Sequence, residues 1–206
     1  MKNTKYTLNL VEQHTVTDNP VKISKQKQLF EWVTWKHAGQ LIKQTNEPYT
    51  NHLIAVAKLA GPFVELGYEI GLCHDLLEDT DTTDTGLKEA LLNIGYTDAE
   101  AGLITRGVVE LTDVYTKTSY PDLSKKERKE RESKRLLSIS PAAQTVKYAD
   151  LIYNINWVLK YDRKDAYRYL EKKQRLLADL TRGNDTLRQQ ALKAIFLGLK
   201  IAVNKS

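Results

Sequence analysis

The stretch Gly71-Leu-Cys-His-Asp-Leu-Leu-Glu-Asp-Thr80 places four ionisable side chains inside an otherwise apolar segment. Burying isolated charges is costly, so these side chains need charged partners or a metal ion. His74 and Glu78 are four residues apart, as are Asp75 and Asp79. An unbroken helix would stack each pair on neighbouring strips of one surface. The segment therefore predicts two ligands and two acid/base groups aimed at one place.

Polar residues also interrupt two apolar segments elsewhere in the chain. His52 lies in the first turn of a predicted helix, and Asp150 lies within Val146-Lys-Tyr-Ala-Asp-Leu-Ile-Tyr-Asn-Ile155. Either residue alone is more often a packed or surface side chain. Together with His74 and Asp75 they offer two imidazoles and two carboxylates. This mixed donor set suits manganese, iron, or zinc with expanded coordination, with water and substrate in the remaining positions.

The rest of the chain shows helical spacing of apolar residues almost throughout, and strict alternation is scarce. We therefore predict an all-α fold, a compact multi-helix bundle. Helices are predicted at about 24–43, 50–60, 68–77, 85–93, 98–112, 124–139, 141–160, 164–180 and 186–203. We expect residues 1–24 to form an N-terminal extension and residues 25–206 to form one domain.

Some polar residues have a structural interpretation. Ser140 precedes Pro141, which is the pattern of a helix N-cap followed by a first-turn proline, so we do not regard Ser140 as a nucleophile. His14 and His37 are interpreted as structural, with His37 held inside the first long helix. The polar, proline-containing stretch 115–124 is predicted to be a mobile loop.

The composition excludes several classes of protein. A hydrophobic share of 41% and a charged share of 28% are those of a soluble globular chain, and no apolar run is long enough to span a membrane. The first twenty residues lack the features of a secretory signal, which favours the cytoplasm. The lone Cys73 excludes an internal disulfide and a cysteine-rich zinc site, so histidines and carboxylates must hold any metal.

Charge is unevenly distributed along the chain. Residues 74–84 contain five acidic residues and no Lys or Arg, whereas residues 124–175 contain fifteen Lys and Arg against seven Asp and Glu. The basic surplus suits an anionic partner. Lys125, Arg128 and Lys129 share one side of a predicted helix, where they can meet substrate phosphates or form a solvated face. The aromatic and basic interleaving of single-strand binders is not evident, which argues against nucleic acid.

The order His52, His74-Asp75, Asp150 resembles the H…HD…D signature of HD-domain phosphohydrolases. Longer segments resemble consecutive motifs of the (p)ppGpp hydrolase domain, which occurs in RelA/SpoT-type enzymes and in stand-alone small alarmone hydrolases. These segments are His37-Ala-Gly-Gln40, Glu47-Pro-Tyr-Thr-Asn-His52, His74-Asp-Leu-Leu-Glu-Asp-Thr80 and Lys147-Tyr-Ala-Asp-Leu-Ile-Tyr-Asn154. The segment Ser138–Lys147 likewise resembles a stand-alone bacterial subgroup of these hydrolases. The resemblance covers about residues 25 to 180.

This resemblance implies an enzyme that removes pyrophosphate from the 3′ position of a nucleotide. It implies catalytic acids at Glu78 and Asp79. It also implies a metal, usually manganese, whose ligands are His52, His74, Asp75 and Asp150. Such a metal lowers the pKa of bound water while a carboxylate accepts the water's proton.

Substrate contacts are implied at further positions. Asn154, one turn after the last metal ligand, matches a residue that contacts the nucleotide, although a surface amide is the alternative. The resembled family has Arg-Lys where this chain has Ile42-Lys43. Ile42 can still contact a base but lacks a planar cation, which favours an adenine substrate, and Lys43 remains for phosphate. Arg168 is interpreted as closing over the nucleotide.

The expected substrate is a guanosine or adenosine polyphosphate alarmone, (p)ppGpp or (p)ppApp. Two alternatives stay open: an HD-type hydrolase of nucleoside monophosphates and a non-catalytic nucleotide-binding module. A non-catalytic module need not retain four metal ligands together with Glu78 and Asp79, which disfavours it. The sequence leaves a homo-oligomer open.

Overall fold

The computed structural model describes residues 24–203, and ten helices account for their regular secondary structure. The helices are α1 Lys25–Lys36, α2 Thr50–Ala60, α3 Gly67–Cys73, α4 Leu76–Asp79, α5 Asp84–Ile94, α6 Asp98–Leu111, α7 Lys125–Leu136, α8 Pro141–Tyr161, α9 Arg163–Asp179 and α10 Asp185–Val203. The all-α prediction is confirmed. Between residues 24 and 203, every helix is too short or too polar to cross a bilayer. The predicted N-terminal extension lies outside the described residues except for Ser24, as does His14.

Side-chain caps fix where several helices begin. The Ser24 hydroxyl accepts a hydrogen bond from the Lys27 amide at the start of α1. Full capping boxes start α6, with Thr97 and Glu100, and α7, with Ser124 and Glu127. The Ser140 hydroxyl accepts from the Ala143 amide, with Pro141 in the first turn of α8. The prediction that Ser140 is an N-cap is therefore confirmed, and each such cap stabilises its helix by about 1 kcal/mol.

The core is centred on α2, α3 and α8, which pack on one another. Leu53, Val56, Leu72 and Ile155 are fully buried there. Gly71 allows α3 to approach α2 closely, because a Cβ at this position would lie 2.8 Å from the Ala57 Cα. The close approach holds α2, which carries His52, directly against α3, which ends one residue before His74.

Cys73, the last residue of α3, has no exposed surface. Burial raises the pKa of its thiol, and the neighbouring Glu69 carboxylate adds to the increase. The thiol is therefore a packing group, neutral and closed to solvent in the folded protein.

The predicted first helix is too long, because α1 ends at Lys36. Gly39 adopts a positive φ of 80° beyond the helix end, and the chain then turns back on itself. An isolated antiparallel bridge between Leu41 and Pro48 closes this loop. The prediction that His37 lies within a helix extending to about residue 43 was therefore wrong, although His37 is buried.

The predicted unbroken helix at 68–77 was also wrong. Helix α3 ends at Cys73 and α4 begins at Leu76, with His74 and Asp75 between them. Asp75 has φ −102° and ψ 0°, which is outside the helical region. The break falls on the two residues that the sequence marks as metal ligands, and it changes how they meet.

Candidate active site

Four side chains from separate elements converge at the centre of the molecule: His52 from α2, His74 and Asp75 from the break after α3, and Asp150 from α8. The two His Nε2 atoms are 3.2 Å apart. The Asp75 Oδ2 atom lies 3.1 Å from the His74 Nε2 and 3.4 Å from the His52 Nε2. The Asp150 Oδ1 atom lies 3.7 Å from the His52 Nε2 and 3.9 Å from the His74 Nε2. The structure thus brings together all four residues predicted as metal ligands.

The helix break makes this convergence possible. Consecutive residues on a continuous helix point about 100° apart and do not face each other. Because Asp75 leaves the helical conformation, its carboxylate turns back to the imidazole of His74. Asp75 thus contacts its chain neighbour His74 directly, while the Asp79 N–H still donates to the Asp75 carbonyl in the i, i+4 manner.

The contacts of His74 fix which of its ring nitrogens faces the cluster. Its Nδ1 atom lies 2.8 Å from the Gly71 carbonyl, which can only accept, so Nδ1 carries the proton. In the neutral form of the ring, the form that binds a metal, the Nε2 lone pair therefore points at His52 and Asp75. A ligating histidine is typically oriented in this way by a carbonyl behind it.

The electrostatics of the cluster favour a positive charge. Burial disfavours protonated His74, but the Asp75 and Asp150 carboxylates outweigh burial and raise its pKa to about 9. The pKa of Asp75 is held well below its usual value by His74 and His52, despite its burial. The Asp75 and Asp150 carboxylates, which stabilise the proton on His74, can stabilise a bound metal cation in the same way.

The donor set therefore fits a divalent metal ion. His52, His74 and Asp75 each offer one ligand atom, and these atoms lie within 4.8 Å of one another. His52 and His74 are buried, whereas Asp75 is half-buried. A mixed set of imidazole nitrogens and carboxylate oxygens suits a transition metal better than calcium or magnesium.

Three further side chains orient the carboxylates of the cluster. The Tyr49 hydroxyl donates to the Asp75 Oδ2 at 2.6 Å. The Lys147 ammonium donates to the Asp150 Oδ2 at 2.8 Å, and the Asn154 amide donates to the Asp150 Oδ1. Sequence reasoning missed Tyr49 and Lys147 in these roles, although the three-residue spacing from Lys147 to Asp150 was a usable signal.

The predicted catalytic acids lie on the short helix α4, and both are exposed residues. The Glu78 Oε1 atom accepts a hydrogen bond of 2.6 Å from the backbone N–H of Asp113. Partial burial of the Glu78 carboxyl raises its pKa to about 7. The hydrogen bond from the Asp113 N–H lowers this pKa, whereas the negative charges of the Asp113 and Asp75 carboxylates raise it further. The backbone of Asp79 is held in place because its carbonyl accepts from the Gln40 amide at 2.6 Å.

The basic residues predicted on α7 differ in their surroundings. Lys129 is exposed, and its pKa is lowered by partial burial and by the neighbouring cations Lys125 and Lys172. The Asp113 carboxylate raises the pKa of Lys129, which places Lys129 near the Glu78 side of the cluster.

Arg128 instead donates to backbone carbonyls of the preceding loop, including that of Leu123. The structure thus gives Arg128 a role in closing the loop.

Three further residues carry sequence-based predictions about the substrate. Lys43 and Arg168 are exposed, and their contacts to substrate remain predictions. Ile42 is only 8% exposed, so it offers little surface to a base. The adjacent Leu41, which is 53% exposed, is the apolar side chain that this loop presents to solvent.

Sequence reasoning also missed Lys173, on α9. Burial lowers the pKa of its ammonium to about 8, the nearby Lys147 adds to the decrease, and Asp150 and Asp113 oppose it. Lys129 is a further neighbouring cation. Neighbouring cations of this kind favour a bound anion.

Known proteins resemble this chain in sequence. No protein-family model matches the chain. The mouse protein guanosine-3′,5′-bis(diphosphate) 3′-pyrophosphohydrolase MESH1 is 32% identical over 186 residues, which cover 84% of this chain and 95% of the mouse protein. The chain belongs to the MESH1 family. Human MESH1 is 37% identical over 125 residues, covering 58% of this chain and 62% of the human protein.

A solved structure shares the fold of this chain. It is described as a metazoan ortholog of SpoT that hydrolyzes ppGpp and plays a role in starvation responses. It aligns with a TM-score of 0.67 and 24% identity, covering 86% of this chain and 97% of the solved chain. Membership of the MESH1 family confirms the resemblance to alarmone hydrolases that the motifs indicated, and it confirms that the chain is a hydrolytic enzyme.

Proposed function

We propose that this chain is a metal-dependent hydrolase that removes pyrophosphate from the 3′ position of (p)ppGpp. The observation that carries the proposal is the convergence of His52, His74, Asp75 and Asp150 beside Glu78. The names of the mouse, human and zebrafish relatives specify the guanosine substrate. We place the reaction in the cytoplasm, with a small nucleotide as the partner.

His52, His74, Asp75 and Asp150 are the residues that would hold the metal. When bound there, a divalent ion supplies a Lewis acid for a phosphoryl oxygen and lowers the pKa of water. We propose Mn(II), since two imidazoles and two carboxylates suit it, with other divalent ions as competitors in the test. Tyr49 and Lys147 keep the two carboxylates turned towards this position.

Glu78 is the proposed proton acceptor. Water attacks the phosphorus attached to the 3′ oxygen, the bond from phosphorus to that oxygen breaks, and pyrophosphate leaves with the new oxygen. Glu78 takes the proton of the attacking water, for which a pKa of about 7 is well matched to neutral pH. The departing 3′ oxygen needs a proton, and we assign Asp79 as the second acid/base group. We assign Lys129 and Lys173 to offsetting the phosphate charge, since each lies among neighbouring cations.

The choice of base is the finer part of the proposal. The buried Ile42 gives guanine no planar cation at the position where the resembled family has arginine. We nevertheless favour guanosine, because the relatives are named for it, and we keep the adenine counterpart as the comparison substrate.

The proposal is tested by product release from ppGpp, ppApp and a nucleoside monophosphate panel, with added manganese and a chelator control. Manganese-dependent release of pyrophosphate from ppGpp is the expected result. Orthophosphate release from monophosphates alone would show a different HD-type reaction. Absence of turnover with every substrate and metal would refute an enzymatic role.

A further inference from the structure

Glu132 is a buried carboxylate on an otherwise charged and mostly exposed helix. It is only 8% exposed, although its neighbours on α7 face solvent. Its Oε2 atom accepts two backbone N–H groups, from Val114 and Tyr115, each at 3.0 Å. Both donors belong to the loop that follows α6. Glu132 therefore ties α7 to this loop through the backbone.

Arg135 completes the connection from the next turn of α7. Its Nε atom donates to the Glu132 Oε1 at 2.7 Å, which offsets the buried negative charge. Its two terminal nitrogens donate to the carbonyls of Glu110 at 2.9 Å and Thr112 at 3.0 Å. The planar guanidinium thus spans the side chain of Glu132 and the end of α6.

These contacts fix the peptide group that joins Thr112 to Asp113 and the two peptide groups that follow it. The Thr112 carbonyl is held by Arg135, and the amides of Val114 and Tyr115 are held by Glu132. Between them lies Asp113, whose N–H donates to the Glu78 Oε1 at 2.6 Å. The Glu132–Arg135 pair thus holds the stretch of backbone that carries this N–H.

We infer that Glu132 and Arg135 are positioning residues, which align the Glu78 carboxylate through the backbone N–H of Asp113. The inference rests on the proposed function, in which Glu78 accepts the proton of the attacking water. Glu78 needs such support because it lies exposed on a helix of four residues. A carboxylate displaced by even about 1 Å can lose about 100-fold in rate.

The decisive variant is Glu132→Gln. The glutamine keeps the shape of the side chain, but its NH₂ group replaces an oxygen that accepts hydrogen bonds from the loop amides or from Arg135. The amide oxygen can serve the loop amides or Arg135 but not both. We expect kcat for ppGpp to fall by about 10-fold to 100-fold, with KM and bound metal unchanged. The acid limb of the pH profile should move to higher pH, because a weaker N–H bond no longer favours ionised Glu78.

Arg135→Lys is the milder second variant, because an ammonium retains the charge but cannot reach three acceptors at once. The same direction of change in kcat is expected. Glu130→Gln is the matched control: Glu130 is exposed on the same helix and pairs with Lys126 at 4.0 Å. It removes an equal charge and should leave kcat, KM and the acid limb at wild-type values.

A double variant separates positioning from general weakening of the fold. If Glu132 acts through Glu78, adding Glu132→Gln to Glu78→Gln should cause no further loss of kcat. A further loss of the same size in that background would overturn the inference. So would a wild-type kcat and acid limb in both Glu132→Gln and Arg135→Lys. Lack of turnover by the wild-type enzyme would refute the proposed function itself, and the inference with it.

Discussion

At the scale of single residues, Glu78 is exposed, yet its surroundings differ from those of an ordinary surface carboxylate. Its carboxyl accepts the Asp113 N–H and lies near other acids, and its pKa is raised to about 7. Replacing it by Gln should lower kcat by about 10²-fold to 10⁴-fold, the usual contribution of a general base. Metal content, measured by elemental analysis, should stay at the wild-type value. Loss of metal together with turnover would contradict this division of roles.

The raised pKa of Glu78 also predicts the pH dependence of turnover. A proton acceptor must be ionised, so the active fraction grows as pH rises through about 7 and is small at pH 5. The plot of kcat/KM against pH should therefore show an acid limb near neutrality, provided metal occupancy is constant across the range. In Glu78→Gln, residual activity should lose this limb. A limb at the usual glutamate value would exclude Glu78 as the acceptor.

Loss of the Asp150 carboxylate has two effects. It removes a proposed metal ligand, and it leaves the Lys147 ammonium without a hydrogen-bonded counter-charge. Asp150→Ala leaves the buried ammonium of Lys147 without its carboxylate. We expect both metal binding and turnover to be lost. Asp81→Asn is the control, since Asp81 is exposed and pairs with Lys36 at the surface. Titration calorimetry with Mn(II) should show binding in the control and none in Asp150→Ala.

At the scale of elements, the close contact of α2 and α3 determines whether His52 and His74 can meet. Gly71→Ala would place a methyl group 2.8 Å from the Ala57 Cα, which is a backbone atom that cannot rotate away. Overpacking of this kind costs about 1–3 kcal/mol, and it should weaken metal binding because the helices separate. Gly102→Ala is the control, since its added Cβ meets nothing within 4 Å. Thermal unfolding with and without metal compares the two.

The helices themselves follow from the sequence to different degrees. The apolar spacing predicts α2, α5, α6 and α8 well, and the caps Thr97 and Ser140 also mark the starts of α6 and α8. The break at His74 and Asp75 has no such local signal, since the flanking residues are as apolar as those of a continuous helix. The break is decided by contacts with His52 and Tyr49, which are distant in the chain.

The candidate site was predictable to the extent that its side chains interrupt apolar segments. His52, His74, Asp75 and Asp150 stand out for that reason. Asp113 does not, because it contributes a backbone N–H that any residue could supply. Glu132 looks like one acid among many in a charged helix, and its burial is visible only once α7 is packed on the loop.

At the scale of the whole molecule, a bound metal would connect α2, α3 and α8 at one point. Removing the metal should therefore lower the stability of the entire fold. At free metal of 100 times Kd, binding adds about 2.7 kcal/mol. For a chain of this length that is about 5–11 °C in Tm. Calorimetry of the chelated and reloaded protein checks this, and an unchanged Tm would show that the metal does not bind the native cluster.

The alkylation rate of the Cys73 thiol can be used to measure local unfolding of the chain. Cys73 is the single thiol of the sequence, it is fully buried, and it lies beside His74. An alkylating reagent can reach this sulfur only when α3 separates from the core, so its modification rate measures the opening of the active-site region. We expect Mn(II) to slow alkylation and a chelator to accelerate it, as followed by the mass of the intact protein. Equal rates in both conditions would mean that metal loading and the integrity of the core are independent.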